Sequence, residues 1–222
     1  MKDARENTVS AENQLPRSSS VFYIGRADAP KRLLIVGNSI TRHAPSAGIG
    51  WHGDWGMAAS APECDYVHRL TAMLEERGID VLTKVHQLAT WERSHEQPDC
   101  LLPLNEDRDF DPDAVVFRLG ENVRLPDGFK EHLSEFISHI CPHGKVVFTT
   151  TVWKNKYIND AIEAVAKERG EPLIDIYEVG RRDELMAIGK FEHKGVAMHP
   201  SDAGMEYIAN AVFPELVKIL EE

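Results

Sequence analysis

The chain has 222 residues, of which 42% are hydrophobic and 27% are charged, values that are ordinary for a globular protein of one domain. Its 25 Lys and Arg residues against 36 Asp and Glu residues give a formal net charge of −11, which disfavours nucleic acid and anionic membranes as partners. No apolar run approaches the roughly 18 residues of a membrane-spanning helix, so we expect no membrane partner.

The N-terminal residues and the cysteines indicate where the folded part begins and which compartment it suits. Residues 1–20 are polar and without periodicity, which predicts a flexible arm before a single domain at residues 21–222. They hold no apolar core of a signal peptide, so we expect a cytoplasmic protein, or a secreted one if a signal was removed. The chain has three cysteines, Cys64, Cys100 and Cys141. They form no CxxC pair, so neither a disulfide framework nor a zinc knuckle is predicted.

Beyond the arm, short apolar segments alternate with amphipathic ones. An edge strand is expected at residues 20–25, and five further strands are expected at 32–37, 79–85, 114–119, 145–151 and 172–177. Helical spacing of apolar residues is found at 62–78, 129–140, 158–170 and from 201 to the end, where Pro214 is expected to kink the last helix. This alternation predicts an α/β fold with a five-stranded parallel sheet covered on both faces.

Ligands of such sheets bind outside the carboxyl ends of the strands, so we expect the functional residues directly after strands. Ser39 follows the first of the five strands, in the sequence Gly37-Asn38-Ser39-Ile40. A serine on a tight turn at that edge is placed to act as a nucleophile, and neighbouring amides can face a developing oxyanion. The alternative is an N-cap serine that only begins the next helix.

Two further polar residues are expected at the same edge. Asn122 follows the third strand, where its side-chain amide can donate to an oxyanion or can only satisfy a turn. His199 precedes the last helix and has the near-neutral pKa of a general base, although a helix-capping or exposed histidine is the alternative. Together with Ser39, these residues favour a serine hydrolase.

The three segments together resemble the motifs of the SGNH hydrolase superfamily, the GDSL-like esterases and lipases. The matching segments are Gly37-Asn38-Ser39-Ile40, Gly120-Glu121-Asn122 and His199-Pro200, and the resemblance covers residues 30–220. It implies a flavodoxin-like three-layer α/β/α sandwich and an ester hydrolysis that needs no cofactor. It also implies that Ser39 is the nucleophile, that the Ser39 amide and the Asn122 side chain donate to the oxyanion, and that His199 is the base.

The sequence departs from the family pattern at two positions. Where the family has a glycine whose amide is another oxyanion donor, this chain has Ala89, whose amide can take the same place. Where the family has an acid three residues before the histidine, this chain has Val196. We therefore consider three alternatives: a backbone carbonyl orients His199, Asp202 or Glu192 substitutes for the acid, or the protein is inactive.

Four tryptophans follow predicted strands or lie in the loop after Ser39. They are Trp51, Trp55, Trp91 and Trp153. We predict that they form an apolar wall for a sugar ring or a short acyl chain, with plugging of the loop onto the body as the alternative. His52, Asp54 and His68 match no zinc signature, so no metal is predicted.

The sequence thus predicts a serine esterase that hydrolyses a small acyl ester through an acyl-serine intermediate. An acetyl group on a saccharide is the favoured substrate among those on which the family acts. The alternatives are an inactive carbohydrate-binding module on the same fold and a metal-dependent hydrolase that uses the histidine-containing loop. Nothing in the sequence specifies an oligomeric state.

Overall fold

The computed structural model of the protein describes residues 20–222, so most of the predicted N-terminal arm lies outside the described residues. Six strands form one sheet in the order β1-β3-β2-β4-β5-β6. The strands are β1 Val21–Ile24, β2 Lys31–Gly37, β3 Val81–Gln87, β4 Ala114–Arg118, β5 Lys145–Thr149 and β6 Leu173–Ile174. Strands β2 to β6 are parallel, and β1 pairs with β3 antiparallel. The predicted α/β class is confirmed, with six strands because the expected edge strand joins the sheet.

Within residues 20–222, eight α-helices with defined bounds accompany the strands. They are α1 Tyr66–Glu76, α2 Ala89–Ser94, α3 Asn105–Asp109, α4 Phe129–Ile140, α5 Lys156–Arg169, α6 Glu178–Arg181, α7 Lys194–Ala197 and α8 Asp202–Glu221. The short helices α2, α3, α6 and α7 were not expected, because fewer than seven residues show little helical periodicity. Among residues 20–222, no helix combines the length and the apolar character required to cross a bilayer.

The continuous apolar run of β2 buries side chains on both faces of the sheet. Leu33 and Ile35 belong to a hydrophobic cluster that includes residues of α1 and α8, whereas Leu34 and Val36 belong to a cluster with residues of α4 and α5. Burial of each such side chain stabilises the fold by about 1.5–3 kcal/mol. The predicted three-layer arrangement follows from this alternation.

Helix α8 continues through Pro214 from its first to its last residue. Proline lacks the N–H that would donate to the carbonyl four residues earlier, which belongs to Asn210. Both residues are exposed, so water can satisfy that carbonyl. The missing hydrogen bond therefore falls on the solvent side of the helix, away from the apolar stripe.

Candidate active site

The turn after β2 presents Ser39 at the carboxyl edge of the sheet. A Cβ atom on Gly37 would lie 1.7 Å from the Thr41 hydroxyl oxygen, so only glycine fits at the end of the strand. The backbone amides of Thr41 and Arg42 both donate to the Asn38 carbonyl at 3.0 Å, which closes the turn. Ser39, between them, is partly exposed. The turn thus holds the serine where a ligand can reach it.

His199 meets Ser39 across 160 positions of sequence. The His199 Nε2 atom lies 2.7 Å from the Ser39 hydroxyl oxygen, within hydrogen-bond distance. The backbone of His199 is held on both sides, because its N–H donates to the Val196 carbonyl and its carbonyl accepts from the Ala187 amide. The imidazole is therefore positioned as an acceptor for the serine proton, the arrangement that nucleophilic catalysis requires.

The second ring nitrogen of His199 binds a backbone carbonyl. Its Nδ1 atom lies 2.7 Å from the Gly195 carbonyl oxygen, at the short helix α7. The two carboxylates considered from the sequence are placed elsewhere: Asp202 accepts from the amide and the hydroxyl of Ser60. Glu192 is exposed, and both ring nitrogens of His199 already have other partners. The arrangement is therefore a Ser–His pair oriented by a carbonyl.

The environment of the imidazole favours its neutral form. The pKa of His199 is lowered to about 4, mainly by burial and also by the charges of His43 and Arg118, while the hydrogen bond with the Gly195 carbonyl acts in the opposite direction. The Trp153 ring covers one side of the imidazole, with ring centroids 6.0 Å apart in an edge-on arrangement. At neutral pH the ring is consequently able to accept a proton from Ser39.

The turn after β4 carries Asn122, and its side chain is fixed by a buried carboxylate. The Asn122 Nδ2 atom donates to Glu92 Oε2 at 2.6 Å, and the Asn122 backbone amide donates to Glu92 Oε1 at 3.2 Å. A Cβ atom on Gly120, which has φ +136°, would lie 2.7 Å from a methyl carbon of Thr151. An asparagine amide has two hydrogens, so the second one remains for another acceptor.

Ala89 is the first residue of helix α2, which begins beside the end of strand β2. The preceding amide, that of Leu88, donates to the Gly37 carbonyl at 2.6 Å, which joins the start of α2 to the end of the serine strand. Within residues 20–222, the backbone amides of Ser39 and Ala89 donate to no protein acceptor. Both amides are thus free to bind an oxygen of a ligand.

Charged residues that were not among the predicted site residues lie beside the two turns. Glu121 accepts from the Arg118 guanidinium at 2.6 and 2.7 Å, from Asn38 Nδ2 at 2.7 Å and from the Val152 amide at 2.9 Å. Arg118 is fully buried. An arginine that ends the otherwise apolar strand AVVFR is a signal that could have been followed. The Gly195 carbonyl carried no such signal, because every residue has a carbonyl.

The tryptophans do not form the exposed wall that was predicted. Trp91 is 3% exposed and packs against Phe136, with ring centroids 4.1 Å apart, and Trp51 is also 3% exposed. Trp51 donates to the His43 carbonyl, which secures the loop to the body. Because protein covers both rings, the prediction that they form a wall for the substrate is wrong for Trp51 and Trp91. Trp55 and Trp153 are partly exposed and are retained as candidate substrate contacts.

The residues considered for a metal have protein partners or stand apart. Asp54 accepts from the Arg42 guanidinium at 3.0 and 2.9 Å, and His68 Nδ1 lies 2.9 Å from an oxygen of Asp65. His52 is exposed. In the described part of the chain, no group of three His, Cys, Asp or Glu residues is arranged to hold a metal ion.

No protein-family model and no curated protein match the chain, whereas solved structures do. A member of the lipolytic protein G-D-S-L family from Veillonella parvula is 13% identical with a TM-score of 0.52, over 85% of this chain and 99% of that one. A family two carbohydrate esterase from Cellvibrio japonicus is 13% identical with a TM-score of 0.54, over 87% of this chain and 62% of that one. A family two carbohydrate esterase from Clostridium thermocellum, in complex with cellohexaose, is also 13% identical with a TM-score of 0.54, over 89% of this chain and 67% of that one.

Proposed function

Because the chain has the SGNH hydrolase fold, we propose that it is a serine esterase that transfers an acyl group from an ester to Ser39 and then to water. The observation that carries this proposal is the 2.7 Å contact between the Ser39 hydroxyl and His199 Nε2. A hydroxyl at a partly exposed turn, beside a neutral imidazole, is the pairing that turns serine into a nucleophile.

The first step forms the acyl-serine. As the Ser39 oxygen attacks the ester carbonyl, its proton moves to His199 Nε2, and the carbonyl π electrons move onto the oxyanion. Collapse of the tetrahedral intermediate expels the alcohol oxygen, which takes the proton from His199. Water then attacks the acyl group by the same sequence, and Ser39 recovers its proton. The Gly195 carbonyl stabilises the imidazolium in the role that a carboxylate has in a triad.

Three donors are proposed for the oxyanion. They are the amides of Ser39 and Ala89 and the second amide hydrogen of Asn122. Leu88 joins the Ala89 segment to Gly37, and Glu92 joins the Asn122 turn to Asn38, so the donors come from segments held beside one turn. Removal of one such donor in a serine protease lowers kcat about 10²–10³-fold. The donors are therefore expected to supply a large part of the rate enhancement.

The proposed substrate is a small acyl ester, with an acetyl group on a carbohydrate favoured. Two observations support a saccharide: the partly exposed ring of Trp153 beside His199, with Trp55 partly exposed in the loop after Ser39, and the family two carbohydrate esterases among the structural neighbours. Flat aromatic rings offer apolar area to the faces of sugar rings while polar groups stay solvated. No cofactor is required by this chemistry.

The proposal is tested with p-nitrophenyl acetate and acetylated saccharides. Wild-type protein should release acetate and should be labelled by a fluorophosphonate probe, because the probe phosphonylates an activated serine. Ser39→Ala should abolish both signals, with unchanged thermal unfolding as the control for folding. Hydrolysis that persists at the wild-type rate in Ser39→Ala would remove Ser39 from the mechanism.

A second candidate is a carbohydrate-binding module that lacks activity. It is favoured by one observation, that His199 is oriented by a carbonyl rather than by a carboxylate. Such a protein would bind cello-oligosaccharides in calorimetry without hydrolysing their acetylated forms, and Ser39 would not react with the probe. Probe labelling of Ser39 would exclude this candidate.

A further inference from the structure

Glu92 is a fully buried carboxylate that no step of the proposed reaction uses. It lies in helix α2, and its partners come from two other segments of the chain. Glu92 Oε1 accepts from Asn38 Nδ2 at 3.2 Å, from the Gly120 amide at 2.6 Å and from the Asn122 amide at 3.2 Å. Glu92 Oε2 accepts from Asn122 Nδ2 at 2.6 Å. The carboxylate thus receives four N–H donors, about as many as its lone pairs can accept.

We propose that Glu92 is a positioning residue, which fixes the Asn122 side chain in the orientation that presents its second amide hydrogen to the oxyanion. This inference rests on the proposed function. The physical reason is that a free asparagine side chain rotates about two bonds, whereas a hydrogen bond to one amide hydrogen sets the direction of the other. Donors that are oriented before the reaction need no reorganisation when the oxyanion forms.

The same carboxylate also ties the donor to the nucleophile. Asn38 precedes Ser39 and donates to Glu92, while its side-chain oxygen accepts from the Ile40 amide at 3.2 Å. The turn that carries the serine and the turn that carries Asn122 therefore share one acceptor. A displacement of about 1 Å between reacting groups can cost roughly 10²-fold in rate. Glu92 is thus in a position to set the distance between nucleophile and donor.

The network fits a carboxylate at Glu92. Burial and the charge of Glu121 raise the pKa of Glu92, and the hydrogen bonds from Asn122 and Gly120 oppose that rise. All four partners are donors, so a proton on Glu92 would have no acceptor among them. In Glu92→Gln, the new amide would face N–H groups, and the Asn122 side chain would lose its orientation.

A double-mutant cycle tests the proposal. Glu92→Gln, Asn122→Ala and the double variant are compared with wild type for kcat and KM on p-nitrophenyl acetate. We expect Glu92→Gln to lower kcat about 10–100-fold with KM changed less than about threefold. In the Asn122→Ala background the same substitution should lower kcat less than about threefold, because the side chain it positions is absent. Equal fold-losses in both backgrounds would overturn the proposal.

Two controls separate positioning from general loss of structure. Glu171→Gln changes a carboxylate that is 5% exposed and lies beyond α5, before β6, and it should leave kcat unchanged. Glu92→Asp keeps the charge but withdraws it by one methylene, so it should lower kcat even if Glu92→Gln does not fold. A Glu92→Asp variant with wild-type kcat would contradict the proposal.

A readout without ester hydrolysis distinguishes failure of this inference from failure of the proposed function. In wild-type protein, NMR should show the Asn122 side-chain amide as two well-separated protons, one of them downfield and slow to exchange with solvent. In Glu92→Asp or Glu92→Gln the downfield signal should move toward the ordinary amide position. An Asn122 amide that is already unrestrained in wild type would overturn the inference, whether or not the protein is an esterase.

Discussion

Glu92 and Asp107 are both fully buried carboxylates, but their surroundings differ. Asp107 lies between two side chains of β3: Lys84 Nζ is 2.8 Å from one oxygen, and His86 Nδ1 is 2.7 Å from the other. Burial alone would raise the pKa of Asp107, but His86 and Lys84 outweigh it and lower the pKa. Glu92 has no cation among the hydrogen-bond partners that the structure describes, so burial and the nearby carboxylate of Glu121 raise its pKa against the opposing effect of its N–H donors.

The two buried carboxylates have different roles, which their partners indicate. Asp107 joins α3 to β3, and its charge is compensated within the group, which is the arrangement of a structural ion pair. Glu92 receives donors from the two turns that carry Ser39 and Asn122. Burial of charge alone therefore does not mark a functional site; the position of its partners at the carboxyl edge of the sheet does.

The largest expected effect concerns the structural carboxylate. Asp107→Ala leaves Lys84 buried without its anion, so we expect the free energy of unfolding to fall by about 3–5 kcal/mol, measured by urea denaturation. The substitution should leave kcat/KM unchanged where the protein is folded. Asp109→Asn on the same helix changes a residue that is 65% exposed and should have no measurable effect. An Asp107→Ala protein as stable as wild type would contradict the structural role.

The second prediction concerns the asparagine that precedes the nucleophile. Asn38 Nδ2 donates to both Glu92 and Glu121, so Asn38→Asp would place a third carboxylate against two others. We expect a loss of about 3 kcal/mol in unfolding free energy at pH 8. The new carboxyl would have a raised pKa in the folded state, so the loss should shrink as pH falls. Asn38→Ala, which adds no carboxyl, is the control, and an equal pH dependence in both variants would contradict the charge argument.

The third prediction concerns pH and His199. The proposed base must be neutral, and its pKa is about 4, so protonation of His199 by itself should leave kcat/KM level from pH 8 to about pH 5 and should halve kcat/KM near pH 4. Trp153→Ala admits water to the imidazole and should move the acidic limb of the kcat/KM profile to higher pH. A wild-type limb near pH 6.5, the ordinary histidine value, would contradict the role of burial. The lowered pKa also means that stability falls as pH drops from about 6.5 toward 4, because the unfolded chain binds the proton first.

The smallest expected effect concerns a hydrogen bond between two uncharged side chains, Thr41 in the turn after β2 and Tyr66 in α1. The Thr41 and Tyr66 hydroxyls are 2.7 Å apart and buried, and burial raises the pKa of Tyr66 well above its usual value. Tyr66→Phe removes one hydroxyl and leaves the other without this partner. We expect thermal unfolding to report a loss of about 1–2 kcal/mol, smaller than for either charged group. A loss as large as that of Asp107→Ala would contradict the distinction between charged and neutral bonds.

Much of the fold was predictable from local pattern, and so was the edge at which the site lies. The apolar runs of β2, β4 and β5 have side chains buried on both faces, which specifies central parallel strands. The convergence of Ser39, Asn122 and His199 on one edge followed from their places after strands and before α8. The partners of Trp91 were not predictable, because the same apolar ring suits a core as well as a substrate wall.

The α/β layering and the Ser39 and His199 pair could be predicted from the amino-acid sequence, since periodicity and strand ends are local properties of the chain. The contacts that hold that pair in place could not be predicted in the same way. The four donors on Glu92 come from segments that are remote in sequence, and the Gly195 carbonyl, although only four residues before His199, meets the imidazole through the fold of the short helix α7. Hydrogen bonds require contacts within about 3.5 Å, and such contacts exist only once the chain has packed.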